Sequence, residues 1–389
     1  MLQCMIHGML QCVMHGMLMI NICLAAFSGS SYSETVDAEI QISGLEEFDF
    51  SDLDDFLDTN LQKEEISFVD LVAELIAGES DDVFARYGRK ATDYITAEFS
   101  VQKDAMIKMI FIGIAAAFFS NLASVFSNGQ IADTGFFITY MLLVTILLGA
   151  FSVVAGVGEE LLTLVTDFMR ALIPAYFLAV GLSGGSITAI GFYELTLAVI
   201  AVVEWIFASF ILPAIKLYIM IVLTNALATE DFLSKLAELL KTAIEWVLKV
   251  LFGLVISINV IQGLAVPGTD ATKNAAVQKV VSMIPGIGTG ATAISELLLG
   301  SGNVIKNGIG AAALIVILIL CMIPILKLCI FYFVYQGTAA FLQPVTDARF
   351  VNCISSVADG TKLVIRVLVT TMLLFMITIA IICMSTSIS

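Results

Sequence analysis

Long uncharged apolar runs fill most of the chain beyond residue 104, and they restrict its fold more than any other feature. A helix of about 20 apolar residues crosses the hydrocarbon core of a bilayer. Backbone groups in lipid must be satisfied within the segment, which predicts helices rather than strands. We predict spans near 105–126, 136–157, 162–182, 192–212, 213–228, 245–266, 309–335 and 363–386.

Composition supports this prediction for the whole chain. Hydrophobic residues make up 59% of it and charged residues only 13%, and its mean hydropathy is +1.00. Soluble domains have roughly 45–50% apolar and about 25% charged residues. The predicted fold is therefore all-α, with residues 104–389 forming a transmembrane bundle of seven or eight spans. The count depends on 213–228, where Pro213 marks either a turn between two spans or a kink in one.

The segment before the bundle, residues 28–103, is acidic. It holds 19 acidic and 5 basic residues, which gives −14 of the total net charge of −16. Such a segment lacks the basic patches that bind nucleic acid or anionic lipid heads. Apolar residues in 45–61 and 66–76 recur at helical spacing, which predicts short amphipathic helices that dock on a partner or on the membrane portion. A loosely ordered, solvated segment is the alternative.

Residues 1–27 resemble a leader. Two near-identical octads, 1–8 and 9–16, precede an apolar run and then small residues, an order typical of a signal peptide. Cleavage there would place 28–103 outside the cell membrane. The octads also contain two C-x-x-H pairs, and such spacing can bind zinc. Because the duplication alone produces the pattern, we predict no metal at these four residues, namely Cys4, His7, Cys12 and His15.

The connections between spans give three further predictions. Residues 230–245 alternate apolar and charged positions, which favours an amphipathic helix at the membrane surface. Residues 267–306 are glycine-rich and only mildly apolar, and we predict a re-entrant or interfacial element there. Residues 349–366 are predicted to be a polar connection before the last span.

Ionisable residues inside the predicted spans are the candidate functional residues. Glu204 lies in the middle of 192–212, and Lys327 lies three residues after Pro324. Charges at such depth are costly and usually face a protein interior or a water-filled path. We therefore predict that Glu204 and Lys327 form a buried pair or line a path, with snorkelling of Lys327 as the alternative. Asp167 and Arg170 are three residues apart and can pair on one helix face.

Proline and small residues indicate where helices break, as is common around transport sites. The candidate breaks are Pro174, Ser183, Gly184, Gly185, Pro213 and Pro324. The string Gly181 to Gly184 also matches G-x-S-G of rhomboid-type intramembrane proteases. A serine nucleophile needs a base, usually histidine, and both histidines lie in the leader. The favoured interpretation is a helix end or a close helix contact.

Motifs for enzymatic chemistry are missing from the sequence. It contains no H-E-x-x-H string and no G-x-x-x-x-G-K-[ST] string, so an ATPase acting with this chain would be a separate protein. The segment 286–290 (GIGTG) follows no predicted strand and is only superficially like a phosphate loop. We predict a protein that is not an enzyme and has no cofactor, no catalytic residue and no identified small-molecule substrate.

An ordered series of short strings resembles the stage III sporulation protein AE family of endospore-forming Firmicutes. The series covers roughly residues 100–386 and consists of ALIP (171–174), SGG (183–185), VIQGLA (260–265), VSMIPGIG (281–288), VIKNGIG (304–310), PILK (324–327) and AAFLQP (339–344). The resemblance rests on the order and spacing of the whole series. The acidic segment matches in position and character only.

The resemblance implies a non-enzymatic membrane subunit of the channel complex between mother cell and forespore. Its implied partners are the lipid bilayer, other membrane subunits and a cytoplasmic ATPase, and no catalytic residue is carried over. The residues leave a second hypothesis open. A self-sufficient secondary transporter or permease would use Glu204 and Lys327, and it would favour an inverted repeat, which the sequence does not show convincingly.

Overall fold

The computed structural model describes residues 49–60, 67–76, 107–115, 117–118, 129–182, 187–225, 232–281 and 288–385. Every regular element in these ranges is helical, which confirms the predicted all-α class. The predicted leader, its octads and the four residues of the C-x-x-H pairs lie outside the described residues. So does most of the acidic segment.

The helices follow one another with short connections. A further helical stretch at 107–115 and 117–118 lies where the first span is predicted. In chain order the named elements are α1 (Ser51–Asn60), α2 (Phe68–Ile76), α3 (Gly129–Leu182), α4 (Ile187–Ile206), a π-helical turn (Phe207–Ile211), α5 (Leu212–Asn225), α6 (Ser234–Val281), α7 (Gly288–Leu342) and α8 (Ala348–Ser385).

Five helical stretches of the described chain are long and apolar enough to cross a membrane. The seven or eight predicted spans are not confirmed, because continuous helices join several of them. The spans near 136–157 and 162–182 are one helix, and those near 192–212 and 213–228 are one run through the π-helical turn. The five stretches are Phe137–Gly181, Glu194–Asn225, Ser234–Ile261, Val304–Leu342 and Ala348–Cys383.

Several predicted connections between spans lie inside continuous helices. The gap between the predicted spans 136–157 and 162–182 contains Glu159 and Glu160, which are exposed on the surface of α3, and α3 continues through them. The predicted surface helix at 230–245 is continuous with the span that follows it in α6. The predicted polar connection at 349–366 lies inside α8, and the predicted interfacial element at 267–306 consists largely of the end of α6 and the start of α7.

α7 is the central helix of the bundle. In its most apolar window 72% of the residues are buried, the highest share among the five stretches. α8 packs along it, and α3 and α2 cover other sides. Glycine permits close approach at two places on this core: a Cβ atom at Gly310 would meet Cys383, and one at Gly360 would meet Ile219.

The two predicted amphipathic helices form and dock on the bundle. Leu53 and Leu57 of α1 and Leu71 and Val72 of α2 are buried in the same apolar cluster as the long helices. α1 packs against α3, and the ring of Phe56 lies 5.7 Å from that of Phe168 between centroids.

Local hydrogen bonds define the ends of these two helices. Asp54 Oδ1 accepts the Phe68 backbone N–H at 2.6 Å, which ties α1 to the start of α2. Before α1, the Ser51 hydroxyl and backbone N–H both donate to Asp49, and these bonds hold the pKa of Asp49 below its usual value. We call α1 and α2 together the acidic hairpin.

Candidate functional site

Glu204 is a buried carboxylate on the side of α4 that faces the bundle. Only 4% of its surface is exposed. Its Oε2 atom accepts a hydrogen bond from the Thr371 hydroxyl of α8 at 3.3 Å, and its buried Oε1 atom has no hydrogen-bond partner. Buried polar atoms are nearly always hydrogen-bonded, so an orphaned carboxylate oxygen needs an explanation. It marks Glu204 as the centre of the candidate site.

The backbone changes register directly after Glu204. In the π-helical turn Phe207–Ile211, the Leu212 N–H donates to the Phe207 carbonyl, five residues back. The next residue, Pro213, has no N–H to give to the carbonyl of Ser209, which is a physical reason for the wider turn. π-helical turns inside α-helices often occur at functional sites, and this one begins three residues after Glu204.

A second polar contact continues the site along α8. Asn259 on α6 is 1% exposed, and its Nδ2 atom donates to the Thr378 hydroxyl at 3.2 Å and to the Val255 carbonyl at 3.0 Å. Thr378 follows Thr371 by seven residues, so both lie on one face of α8, about 10 Å apart. We call Glu204, Thr371, Thr378 and Asn259 the buried polar track. It joins α4, α6 and α8 inside an otherwise apolar region.

Ion pairs between described residues connect helices at another height of the bundle. Lys241 pairs with Asp359 at 2.9 Å and Arg366 with Glu245 at 2.5 Å, which joins α6 to α8 twice. Lys216 of α5 pairs with Glu159 of α3 at 2.6 Å. These side chains are between 29% and 49% exposed, so they are partly solvated. We call the three pairs the ion-pair layer.

The structure separates the charges that the sequence singled out. Lys327 is half-buried on α7, and Glu204 does not pair with it, because the contact of Glu204 is with Thr371. Asp167 and Arg170 form the expected pair at 3.2 Å, but their side chains are 48% and 74% exposed. They lie on the outer surface of α3 and not in the buried polar track.

The predicted helix breaks have different outcomes in the structure. Pro174 lies inside α3 and Pro324 inside α7, and both helices continue through them. Pro213 follows the π-helical turn and is neither a turn between two spans nor a helix end. α3 ends at Leu182 and α4 begins at Ile187, while Ser183, Gly184 and Gly185 lie outside the described residues.

Sequence reasoning missed the partners of the site. Thr371 and Thr378 carry no charge, and Asn259 lies in an apolar run, so hydropathy gives no signal for them. The ion-pair layer was missed because its partners are 57 to 121 residues apart in the chain. A search for buried-face Asn and Thr residues at seven-residue spacing would have found the α8 pair.

These features define an integral membrane protein with a helical bundle and polar side chains buried between its helices. The chain belongs to the family "Stage III sporulation protein AE (spore_III_AE)", whose model matches residues 66–386. It is also similar to the protein named "Stage III sporulation protein AE" of Bacillus subtilis (strain 168), with 21% identity over 310 residues. That match covers 79% of this chain and 78% of the relative. No solved structure matches the chain.

Proposed function

We propose that this sporulation membrane protein is a non-enzymatic subunit of a multiprotein channel complex that links mother cell and forespore. The observation that carries the proposal is the family match over residues 66–386, which includes all five candidate membrane-crossing stretches. Its partners in this proposal are other membrane subunits and an ATPase encoded as a separate chain. The buried polar track gives the bundle a set of polar contacts that lipid packing alone does not require.

Affinity purification from membranes of sporulating cells tests this proposal. A tagged copy of the full chain is expected to bring down an ATPase and further membrane subunits, identified by mass spectrometry. A tagged membrane protein of similar size and unrelated function serves as the control. Recovery of the chain without any such subunit would count against the channel complex.

A self-sufficient secondary transporter is the second candidate function, and the orphaned Oε1 atom of Glu204 favours it. Ionisable residues within membrane helices often belong to substrate or proton paths. The test uses liposomes that contain only this chain. Solute uptake by the wild type that is lost in the Glu204→Gln variant would support the transporter. The matched control is Glu238→Gln, because Glu238 is an exposed carboxylate outside the buried polar track.

We further propose that the acidic hairpin faces the outside of the cell membrane, as a cleaved leader would place it. Asp52 and Asp55 are on the hairpin, and Asp52 is exposed. A cysteine at Asp52 is expected to react with a membrane-impermeant maleimide in intact cells. Labelling only after the cells are permeabilised would reverse this orientation.

A further inference from the structure

The outward face of α6 carries apolar side chains at heptad spacing. Leu236, Leu239, Ala243, Trp246 and Val250 are separated by three, four, three and four residues, and all five are exposed. Leu239 and Trp246 are 66% and 64% exposed. Intervals of three and four residues place the five side chains on one face of α6, the arrangement also found in the seam between two packed helices. We call these five residues the α6 seam.

The α6 seam is not needed for packing inside its own bundle. α6 faces the rest of the chain with other residues, including the buried side chains of Ile244, Leu248 and Val255. A shallow depression on the outside of α6, open to its surroundings, is lined by Leu239, Ala243 and Trp246 of the seam and by the polar neighbours Lys235, Glu238 and Thr242. The seam therefore presents large side chains with a recess between them.

One face of α3 carries small exposed residues, in contrast to the large side chains of the α6 seam. Thr145, Gly149, Ser152 and Gly156 are all exposed and follow one another at intervals of four, three and four residues. A Cβ atom at Gly149 or Gly156 would meet nothing within 4 Å, so packing within this chain does not require glycine there. Small residues on a membrane helix allow another helix to approach closely. We call these four residues the α3 groove.

Contacts with α8 place the seam and the groove at the same height. Asp359 pairs with Lys241 of α6, and a Cβ atom on the adjacent Gly360 would lie 3.0 Å from the ring of Phe151 of α3. A few residues later, Arg366 pairs with Glu245 of α6. At that height Gly158 of α3 approaches Val364 of α8, because a Cβ atom there would lie 2.9 Å from the Val364 side chain. Numbering rises in the same direction along all three helices, so α3 and α6 run parallel.

Charge at the ends of the two faces is also complementary. Glu160 is exposed just beyond the α3 groove, and Lys249 is exposed beside the end of the α6 seam. Within the part of the chain that the structure describes, neither residue takes part in an ion pair. Between the two faces, α5 packs against both helices and exposes Leu217 and Met220.

We propose that a second copy of this chain covers these faces, with the α6 seam of each copy packed into the α3 groove of the other. A two-fold axis parallel to the helices makes both contacts at once, because seam and groove lie at one height. Large side chains then meet small ones, and Lys249 of each copy lies near Glu160 of the other. This proposal does not depend on the channel function, and the purified chain suffices to test it.

Native mass spectrometry of the full chain in nanodiscs measures the pairing. The expected species has twice the mass of the single chain. Gly149→Leu with Gly156→Leu fills the groove and is expected to weaken association by about tenfold or more, the equivalent of about 1.4 kcal/mol. Gly181→Leu is the matched control, because it also adds a side chain to an exposed glycine of α3 with nothing within 4 Å. It is expected to leave the pair intact.

A charge reversal tests the same contact without filling the groove. Glu160→Lys is expected to weaken the pair, and Lys249→Glu in the same chain is expected to restore it. Thermal unfolding of each variant shows whether it folds. If the leucine variants fail to fold, the charge-reversal variants alone test the pairing. A wild-type chain that is monomeric in nanodiscs would overturn the proposal, as would a pair that neither the leucines nor the reversal weakens.

Discussion

At the scale of single residues, Glu204 is one of the buried side chains of the described chain, with Asn307 and Tyr335, that have a polar atom without a hydrogen-bond partner. One carboxylate oxygen accepts a single hydrogen bond from Thr371, and the other has no partner. Leaving a buried polar group unpaired costs roughly 1–3 kcal/mol. A residue that lowers stability in this way is a candidate for function, because packing alone would favour an apolar side chain.

Replacing Glu204 by leucine is expected to stabilise the protein. Glu204→Leu removes the orphaned oxygen and should raise the free energy of unfolding in detergent by about 1–3 kcal/mol. Thr371→Val should lower it, because it leaves both carboxylate oxygens without a donor. Denaturant unfolding followed by circular dichroism measures both changes. A Glu204→Leu variant less stable than the wild type would show that Glu204 makes a stabilising contact beyond its hydrogen bond with Thr371.

Among the elements, the π-helical turn and the ion-pair layer set how the helices fit together. The turn joins α4 to α5 without a break, so Glu204 and Lys216 belong to one long helical run. The ion-pair layer joins that run to α3 and joins α6 to α8. The π-helical turn and the ion-pair layer both depend on proline or charged residues, which a hydropathy profile treats as interruptions of an apolar run.

Pro213 is expected to maintain the π-helical turn. Pro213→Ala supplies an N–H that can donate to the Ser209 carbonyl, so the turn should relax towards a regular α-helix. Hydrogen exchange followed by mass spectrometry should then show slower exchange in residues 204–216. Pro324→Ala inside α7 is the control and should leave that peptide unchanged. Faster exchange in 204–216 of Pro213→Ala would contradict this account.

A charge exchange in the ion-pair layer tests the contact between α6 and α8. Lys241→Asp and Asp359→Lys are each expected to destabilise the protein, and the double variant should recover most of the loss. Because the two side chains are 35% and 40% exposed, the coupling energy should be modest, about 0.5–1 kcal/mol. The exposed pair of Lys235 and Glu238 is the control, and its exchange should show no measurable coupling. Strict additivity of the Lys241 and Asp359 variants would rule the contact out.

For the whole molecule, the acidic hairpin adds two short helices to the surface of the bundle of long helices. It covers α7 and α3 with apolar side chains that would otherwise face water or lipid. Its outward side keeps Asp52 and Asp58 exposed. The hairpin therefore packs on the long helices with its apolar side and exposes its acidic side.

Polar substitutions on the buried side of the hairpin should detach it. Leu53→Asp with Val72→Asp places two charges in the contact, because both residues are fully buried at 0% exposure. Limited proteolysis is expected to cut residues 49–76 at least tenfold faster, about 1.4 kcal/mol of lost docking, while the long helices stay protected. Asp52→Asn on the exposed side is the control and should not change the cutting rate. Equal resistance of the double variant would show that docking does not depend on these side chains.

Sequence alone determined the properties that depend on neighbouring residues in the chain. Apolar runs of about 20 residues predict helices in a membrane, and the spacing that includes Leu53 and Leu57 predicts an amphipathic helix. Glu204 was singled out because it lies in the middle of a predicted span, where a charge is costly. The order of short strings pointed to the family.

Only the tertiary structure decided which residues meet. Thr371 reaches Glu204 across 167 residues, and Asp359 reaches Lys241 across 118. Hydropathy placed residues 349–366 in a polar connection, because it counts the cost of a lone charge and contains no partner to offset it. The physical difference is range: helix formation and membrane insertion are local, whereas ion pairs and buried hydrogen bonds depend on helices that are distant in sequence and adjacent in space.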